Sequence, residues 1–182
     1  MKSLFLCLFL SFSVFNSFAQ KDSIIKYSGI VVIEGATKEQ LYQRARSWFN
    51  DAFKSSKDVI QIQDKETGEI AGKGIIKSSI TVRMFGSHDY EAPFSFSMKV
   101  FVKDGKFKYD ITNFDNYEFG TNRVSPLGVL TSSTECPVKW PGYSQKRMDE
   151  VWASAKQNIE PKVTSLISSL KKSMSAPVSD DF

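Results

Sequence analysis

The segment from Thr37 to Lys54, TKEQLYQRARSWFNDAFK, constrains the fold more than any other part of the chain. Its apolar residues recur at the spacing of a 3.6-residue helix, so they form one stripe along a single helix face. Thr37 and Gln40 have the spacing of a capping box, which predicts where the helix begins. A helix of this kind needs an apolar surface to cover its stripe, and the rest of the chain predicts a sheet. The stripe contains Leu41, Tyr42, Ala45, Trp48, Phe49, Ala52 and Phe53.

Residues 1–19 have the composition of a secretory signal peptide. Lys2 precedes an apolar run that ends at Phe15, and Ala19 closes the stretch with a small residue. The run is too short and too often interrupted by polar residues to span a membrane. We therefore expect export to the periplasm or the extracellular space, cleavage before Gln20, and no membrane span in the mature protein.

The remaining chain is predicted to be one domain at residues 20–174, followed by a flexible tail at 175–182. The whole sequence has a formal net charge of +4. Acidic and basic residues alternate along it, which gives no support to a nucleic-acid or membrane partner. Only Cys136 is left after the predicted cleavage, so no intrachain disulfide is expected.

Residues 27–34 predict the first strand, because they are rich in β-branched residues and end at Gly35. Both faces of this strand are apolar. It is therefore either covered on both sides or an edge strand that meets a partner.

Residues 58–64 alternate between polar and apolar side chains and predict a half-buried strand. Ile60 and Ile62 are assigned to its buried face. Gln61 and Gln63 are assigned to its outer face.

The next elements are predicted as three strands and a connector. Residues 69–83 predict one long strand, and residues 84–91 a polar connector that holds His88. Residues 93–103 and 106–114 predict a hairpin around the Asp-Gly turn between them.

Gly72 and Gly74 in the long strand suggest a bulge or a close approach of the covering helix. A phosphate loop is not supported, because no helix opens after these glycines.

Residues 144–173 predict a second amphipathic helix that carries Trp152. Pro161 removes a backbone hydrogen bond within it, so we expect a bend near Gln157–Pro161.

The element order is strand, helix, four-stranded antiparallel meander and helix, which predicts an α+β fold with both helices packed on one face of the sheet. The runs VVIEGATKEQLYQRARSWFNDAF and KDVIQIQDKETGEIAGKG resemble a family of secreted bacterial domains of unknown function described as having a TBP-like fold. The resemblance covers about Gly29 to Leu170 and implies that fold, but no activity or catalytic residue. A helix-grip ligand-binding fold is the structural alternative.

No catalytic, cofactor-binding or metal-ligating residue is assigned from the sequence. His88 is flanked by acidic residues but is the only histidine, and Cys136 has no second histidine to activate it. The predicted outer sheet face does not favour DNA binding, because only Phe101 on it resembles an apolar wedge. The other residues assigned to that face are Gln61, Gln63, Ser95, Ser97, Lys99, Lys108, Asp110 and Thr112.

A non-catalytic binding or protein-interaction module is the function class that these observations favour. A small-ligand-binding domain of helix-grip type, or an enzyme, is the alternative. The partner is expected to be an envelope protein or a peptide.

The connector at residues 115–142 is long and rich in apolar side chains, which leaves two interpretations. Its apolar residues either cap the open end of the core or form an exposed patch that binds the partner. The residues assigned to such a partner-binding loop are Phe119, Leu127, Val129, Leu130 and Trp140.

Overall fold

A computed structural model of the protein describes residues 22–53, 60–83, 85–116 and 125–176. The predicted signal peptide and the segment 177–182 lie outside these residues. The elements in chain order are β1 Lys26–Val32, α1 Lys38–Ala52, β2 Ile60–Asp64, β3 Glu69–Ile76, β4 Ser79–Arg83, β5 Ser87–Glu91, β6 Phe94–Lys103, β7 Lys106–Asp115 and α2 Gln145–Ser175.

Five of the strands form an antiparallel sheet in the order β1-β7-β6-β3-β2. The predicted meander is confirmed, since β2, β3, β6 and β7 are neighbours in that order. β1 is the edge strand next to β7, so of the two interpretations of its apolar faces the edge position is the one observed. The second apolar face of β1 carries Ile30 and Val32, and both side chains are exposed.

Helix α1 begins as the sequence predicts. The Thr37 hydroxyl accepts a hydrogen bond from the Gln40 amide at 3.2 Å, and the Gln40 side chain accepts one from the Thr37 amide at 3.0 Å. This capping box satisfies amide groups that the first turn leaves without a helical partner. The predicted stripe is buried from Leu41 to Phe49, while Ala52 is exposed.

Both helices cover the same face of the sheet, as predicted. Phe53, just after α1, lies 6.0 Å from the Phe96 ring of β6, measured between ring centroids. Lys171 of α2 lies over the ring of Tyr109 on β7, and the Trp48 indole donates to the Ser169 hydroxyl at 3.0 Å. The core therefore lies between one sheet face and the two helices.

Gly74 shows why a glycine is needed on β3. A Cβ atom there would contact the Phe53 ring and would come within 2.7 Å of the Phe96 ring. The prediction of a close approach of the covering helix to bare backbone is confirmed for this glycine.

The prediction of one long strand over residues 69–83 is wrong. β3 ends at Ile76, and β4 begins at Ser79 and pairs with β5 in a separate two-stranded sheet. Most of the predicted polar connector at 84–91 is therefore strand β5. The hairpin packs against α2 through buried Ile80 and Val82, a role that the polar sequence of β5 conceals.

The predicted facing of β2 is wrong in its second half. The register shifts between Ile60 and Ile62, and this bulge changes which side chains face the helices. Ile62 is exposed on the far side of the sheet, whereas Gln63 accepts a hydrogen bond from Arg46 of α1 at 3.0 Å. One extra residue in a strand reverses all side chains beyond it, and alternation alone does not reveal it.

Helix α2 runs from Gln145 to Ser175 through Pro161 without interruption. The bend expected at this proline stays a prediction. The last turn of α2 is attached to α1, because the Met174 carbonyl accepts a hydrogen bond from Arg44 at 2.8 Å. None of the helices in the described residues is both long and apolar enough to cross a membrane.

Candidate functional site

The face of the five-stranded sheet that the helices leave uncovered is called the open face. Residues directly opposite each other on neighbouring strands share a face, so the register assigns its members. The lysines and large apolar residues that the register places on the open face include Lys26, Ile30, Val32, Ile62, Lys73, Ile75, Lys99, Phe101, Lys103, Lys106 and Lys108.

Exposed apolar side chains are concentrated on the open face. Ile30 is 69% exposed and Val32 is 65% exposed, both on the edge strand β1. Ile62 on β2 and Ile75 on β3 lie on the same face, toward the other edge of the sheet, and are also exposed. Removing exposed apolar side chains from water is favourable, so an uncovered sheet face of this kind is typical of a binding surface.

The middle of the open face is polar and largely neutralised. Asp110 of β7 forms ion pairs with Lys26 at 3.0 Å and with Lys108 at 3.1 Å. Lys99 forms another with Glu69 at 3.2 Å. Burial raises the pKa of the Asp110 carboxyl, but the hydrogen bonds and charges of the two lysines outweigh this effect and hold its pKa below the ordinary value. Asp110 is therefore ionised at neutral pH.

One end of the open face contains a depression of about 410 Å³ beside the β6–β7 turn. We call it the basic groove and define it by Ile30, Phe101, Lys103, Lys106 and Lys108. Ile30 lies opposite Lys108, and Lys108 lies opposite Phe101, so the isoleucine and the phenylalanine flank a lysine in one row across three strands. The groove thus combines apolar contact area with positive charge.

Two lysines of the basic groove face each other. Lys103 and Lys106 are a directly opposed pair on β6 and β7, and both are exposed. Within the described residues, neither has an ion-pair partner. The nearby Asp104 carboxylate is bonded instead to the Lys38 amide at the start of α1, at 2.6 Å. Since like charges opposite each other are destabilising, an anion bound here would relieve a repulsion.

The residues assigned to a partner-binding loop are mostly in the core. Leu127 is 1% exposed, Leu130 is 0% exposed and Trp140 is buried, while Val129 is half-buried. Phe119 lies outside the described residues. These burials favour the interpretation in which the loop caps the core. Partner binding by this loop stays an untested prediction, and its leucines are not accessible unless the cap opens.

The described part of the connector, residues 125–142, is called the cap, and the Asn116 side chain holds its first residues in place. Its side-chain oxygen accepts hydrogen bonds from the Leu127 amide at 2.8 Å and the Gly128 amide at 3.1 Å. Leu130 then donates its amide to the Phe114 carbonyl at 2.8 Å and accepts from the Ile25 amide at 3.1 Å. The segment thereby fills the space between the end of β7 and the residues before β1.

Cys136 has the environment of a structural thiol. It is 2% exposed, its amide donates to the Asp149 carboxylate at 2.8 Å, and its carbonyl accepts from Gln145 at 2.9 Å. Burial raises the pKa of the Cys136 thiol, which favours its unreactive protonated form. This residue supplies no nucleophile at the surface.

His88 lies on β5, exposed and opposite Val82 of β4. Among the described residues, no group of three or more His, Cys, Asp and Glu side chains is arranged to hold a metal ion.

Sequence reasoning named Lys108 and Phe101 on the outer face but missed Ile30, Lys103 and Lys106 as members of one site. Their register was the missing information. Lys103 and Lys106 flank the predicted Asp-Gly turn, and this spacing was the one sequence signal that places two lysines opposite each other.

The fold and the open face together define an α+β domain of TBP-like class, with two helices on one side of an antiparallel sheet. Residues 27–117 match the model of the family described as a domain of unknown function (DUF4468) with TBP-like fold. The chain belongs to this family. The resemblance inferred from the sequence and the fold class are thereby confirmed.

Two solved structures are similar to this chain. A DUF4468 family protein from Bacteroides ovatus superposes with a TM-score of 0.58 at 17% identity, over 86% of this chain and 89% of that protein. A TBP-like protein from Parabacteroides distasonis superposes with a TM-score of 0.52 at 10% identity, over 81% of this chain and 93% of that protein. At these identities the likeness establishes the fold alone. No functionally curated protein matches the chain.

Proposed function

We propose that this chain is a non-catalytic binding module that takes an extended acidic segment of an envelope protein on its open face, at the basic groove. The observation that carries the proposal is the opposed pair Lys103 and Lys106, exposed and without an ion-pair partner in the described residues, beside exposed Ile30. An acidic peptide with apolar side chains satisfies both parts of this surface.

The strand at the edge of the groove supports an extended ligand. Among the described residues, β1 pairs over Lys26–Val32 with β7 on one side only. The Ile33 amide donates to the Gly105 carbonyl at 2.8 Å, so alternation along the strand directs the backbone groups of Ile30 and Val32 away from β7. Backbone groups that are directed away from β7, beside exposed apolar side chains, favour pairing with another extended segment.

A peptide is favoured over a nucleic acid by the charge distribution. The central lysines Lys26, Lys99 and Lys108 are already paired with Asp110 or Glu69, so positive charge does not continue across the face as a phosphate backbone requires. Because the groove volume is within the range of small-ligand sites, the experiment below also includes small anionic ligands.

A charge-reversal experiment tests the binding proposal. The probe is a fluorescent eight-residue peptide of alternating Asp and Val, and its anisotropy measures affinity at low salt. Lys103→Glu combined with Lys106→Glu is expected to weaken binding at least about tenfold, because two attractive charges become repulsive. The matched control is Lys146→Glu with Lys162→Glu, exposed lysines on α2 that change the net charge equally and are expected to leave affinity unchanged.

Three outcomes contradict the proposal. Equal loss in both variants indicates a general charge effect. Tighter binding of a 20-base-pair DNA duplex than of the peptide replaces the ligand class. Tighter binding of succinate or inorganic phosphate than of the peptide indicates a small-ligand site. Thermal melts of both variants check that the fold is intact.

Export is part of the same proposal and has its own test. We expect the mature protein to begin at Gln20, because the small residue Ala19 closes the signal-like segment. N-terminal sequencing of protein recovered from the cell envelope or medium measures this. Recovery only from the cytoplasm, with Met1 retained, would show the prediction to be wrong.

A further inference from the structure

The outer edge of β1 pairs with no other strand among the described residues, although β1 lacks the features that protect an edge strand. Charged residues, proline and bulges usually keep such strands from pairing with another chain. β1 contains no proline, its register with β7 runs without a shift, and its one charged residue, Lys26, lies at its start. The opposite edge strand β2 carries the register shift before Ile62 and ends at Asp64. Of the two edges, β1 is therefore the one suited to pairing.

The outward backbone groups of β1 belong to alternate residues. The Ile33 amide is bonded to the Gly105 carbonyl, so every second residue before Ile33 bonds to β7. The residues between them, which are Ser28, Ile30 and Val32, direct their amide and carbonyl groups to the outer edge. An extended strand that pairs here gains backbone hydrogen bonds and apolar contacts together, because the side chains of Ile30 and Val32 are exposed.

A second copy of β1 matches this edge when the two strands run antiparallel around Ile30. In that register Ile30 lies opposite Ile30 of the second copy, and Ser28 lies opposite Val32. The outward backbone groups of each strand then face those of the other. The side chains of Ile30 and Val32 from both copies form one apolar cluster on the open face. A two-fold axis at Ile30 relates the copies, so the contact closes on itself as a symmetric dimer.

The helix-covered face of β1 fits the same register. Tyr27 lies opposite Ile33 of the second copy, and Gly29 lies opposite Val31, and all four residues are half-buried. A Cβ at Gly29 would come within 2.6 Å of the Tyr109 hydroxyl, so the tyrosine lies across this glycine and becomes a neighbour of Val31 of the second copy. Apolar side chains therefore meet apolar side chains on both faces of the pair.

Opposite charges distinguish this register from its neighbours. At both ends of the pair Lys26 comes near Glu34 of the second copy, and both residues are exposed. Lys26 also pairs with Asp110 of its own chain, and a lysine ammonium has donors for both carboxylates. Pairings shifted by two residues in either direction place Lys26 opposite Val32 or Ala36 instead. Only the register around Ile30 combines the apolar match with the charge match.

We propose that two copies of this chain pair along β1, antiparallel around Ile30, and join their five-stranded sheets into one continuous sheet. This inference goes beyond the proposed function and requires no acidic ligand. The open faces of both copies lie on the same side of the joined sheet, so the dimer presents two basic grooves. A peptide strand that pairs with β1 competes with the second copy for that edge.

Analytical ultracentrifugation of residues 20–182 without any peptide measures the association. We expect a species of twice the chain mass whose fraction rises with concentration. Ile30→Lys places two lysines opposite each other at the two-fold axis and is expected to raise the dimer dissociation constant at least about tenfold. The matched control is Ile62→Lys, at an exposed isoleucine of the same face on the other edge strand, and is expected to leave this constant unchanged. Thermal melts check that both variants fold.

Cysteine cross-linking tests the register. Directly opposed residues of a hydrogen-bonded pair have Cα atoms about 5.5 Å apart, which a disulfide can span. Ile30→Cys is therefore expected to give a covalent dimer under mild oxidation, whereas the control Ile62→Cys is expected to stay largely monomeric. Cys136 is buried and is unchanged in both variants.

Three results overturn the inference: a protein that stays monomeric at millimolar concentration, a dimer that Ile30→Lys does not weaken, and Ile30→Cys that cross-links no faster than Ile62→Cys. A dimer with the expected behaviour that fails to bind the Asp-Val peptide overturns the proposed function alone. A monomer that binds the peptide overturns this inference alone.

Discussion

Trp152→Ala is expected to lower the free energy of unfolding by about 3–5 kcal/mol, the range for truncating a buried aromatic side chain. Trp152 is 0% exposed, and its indole N–H donates to the Ser133 carbonyl at 2.8 Å. The substitution therefore leaves a cavity and removes the hydrogen bond that ties the cap to α2. Against a total stability of about 5–15 kcal/mol, this loss is large. Urea melts followed by circular dichroism measure it.

Two companion variants separate packing from the hydrogen bond. Trp152→Phe keeps most of the ring volume but lacks the donor, so its loss is expected to be clearly smaller. Lys162→Ala, at an exposed position of the same helix, is expected to change stability by less than about 0.5 kcal/mol. A loss below about 1 kcal/mol in Trp152→Ala would contradict the central position given to this residue. Trp48→Ala is expected to behave like Trp152→Ala, because Trp48 is also buried.

The helices and the meander were predictable because their signals are local. The capping box at Thr37 and the stripe that includes Trp48 are complete within α1 itself. The β6–β7 hairpin is specified by a turn and by alternation on both sides of it. Such elements need no knowledge of distant residues, so the sequence predicts them with the correct type and nearly correct bounds.

The errors fall where a strand's role depends on its neighbours. The break after Ile76 and the pairing of β4 with β5 are decided by packing against α2, where Ser154 accepts a hydrogen bond from the Thr81 amide at 3.0 Å. The bulge before Ile62 is likewise a property of the β2–β3 pair. Neither the break nor the bulge leaves a signal in the periodicity of one strand.

The candidate site was only partly predictable for the same reason. Phe101 stood out as an apolar residue on a polar strand face, but the sequence did not show that Ile30 lies across from it in the same row. The link is Lys108, which lies opposite both residues. A site assembled across β1, β7 and β6 depends on strand order, and β1 joins the sheet from a distant part of the sequence.

The apolar residues of the long connector either cap the core or form a partner-binding patch, and a double substitution distinguishes these two interpretations. Leu127→Ser with Leu130→Ser is expected to lower the free energy of unfolding by more than about 4 kcal/mol. Each buried leucine contributes about 2–5 kcal/mol on truncation, although the two losses are not strictly additive in neighbouring residues. Each serine also places a hydroxyl in an apolar site.

Because the loss expected for the double variant is a large part of the total stability, Leu127→Ala and Leu130→Ala are measured separately by urea unfolding. Each is expected to lose about 2–5 kcal/mol. Val129→Ala, at a half-buried position in the same segment, is the matched control and is expected to lose less. If the two leucine variants unfold at the same urea concentration as the unmodified protein, these side chains do not belong to the core. In that case the loop, and not the open face, becomes the first surface to test for partner binding, because leucines that do not stabilise the fold are available to contact a partner.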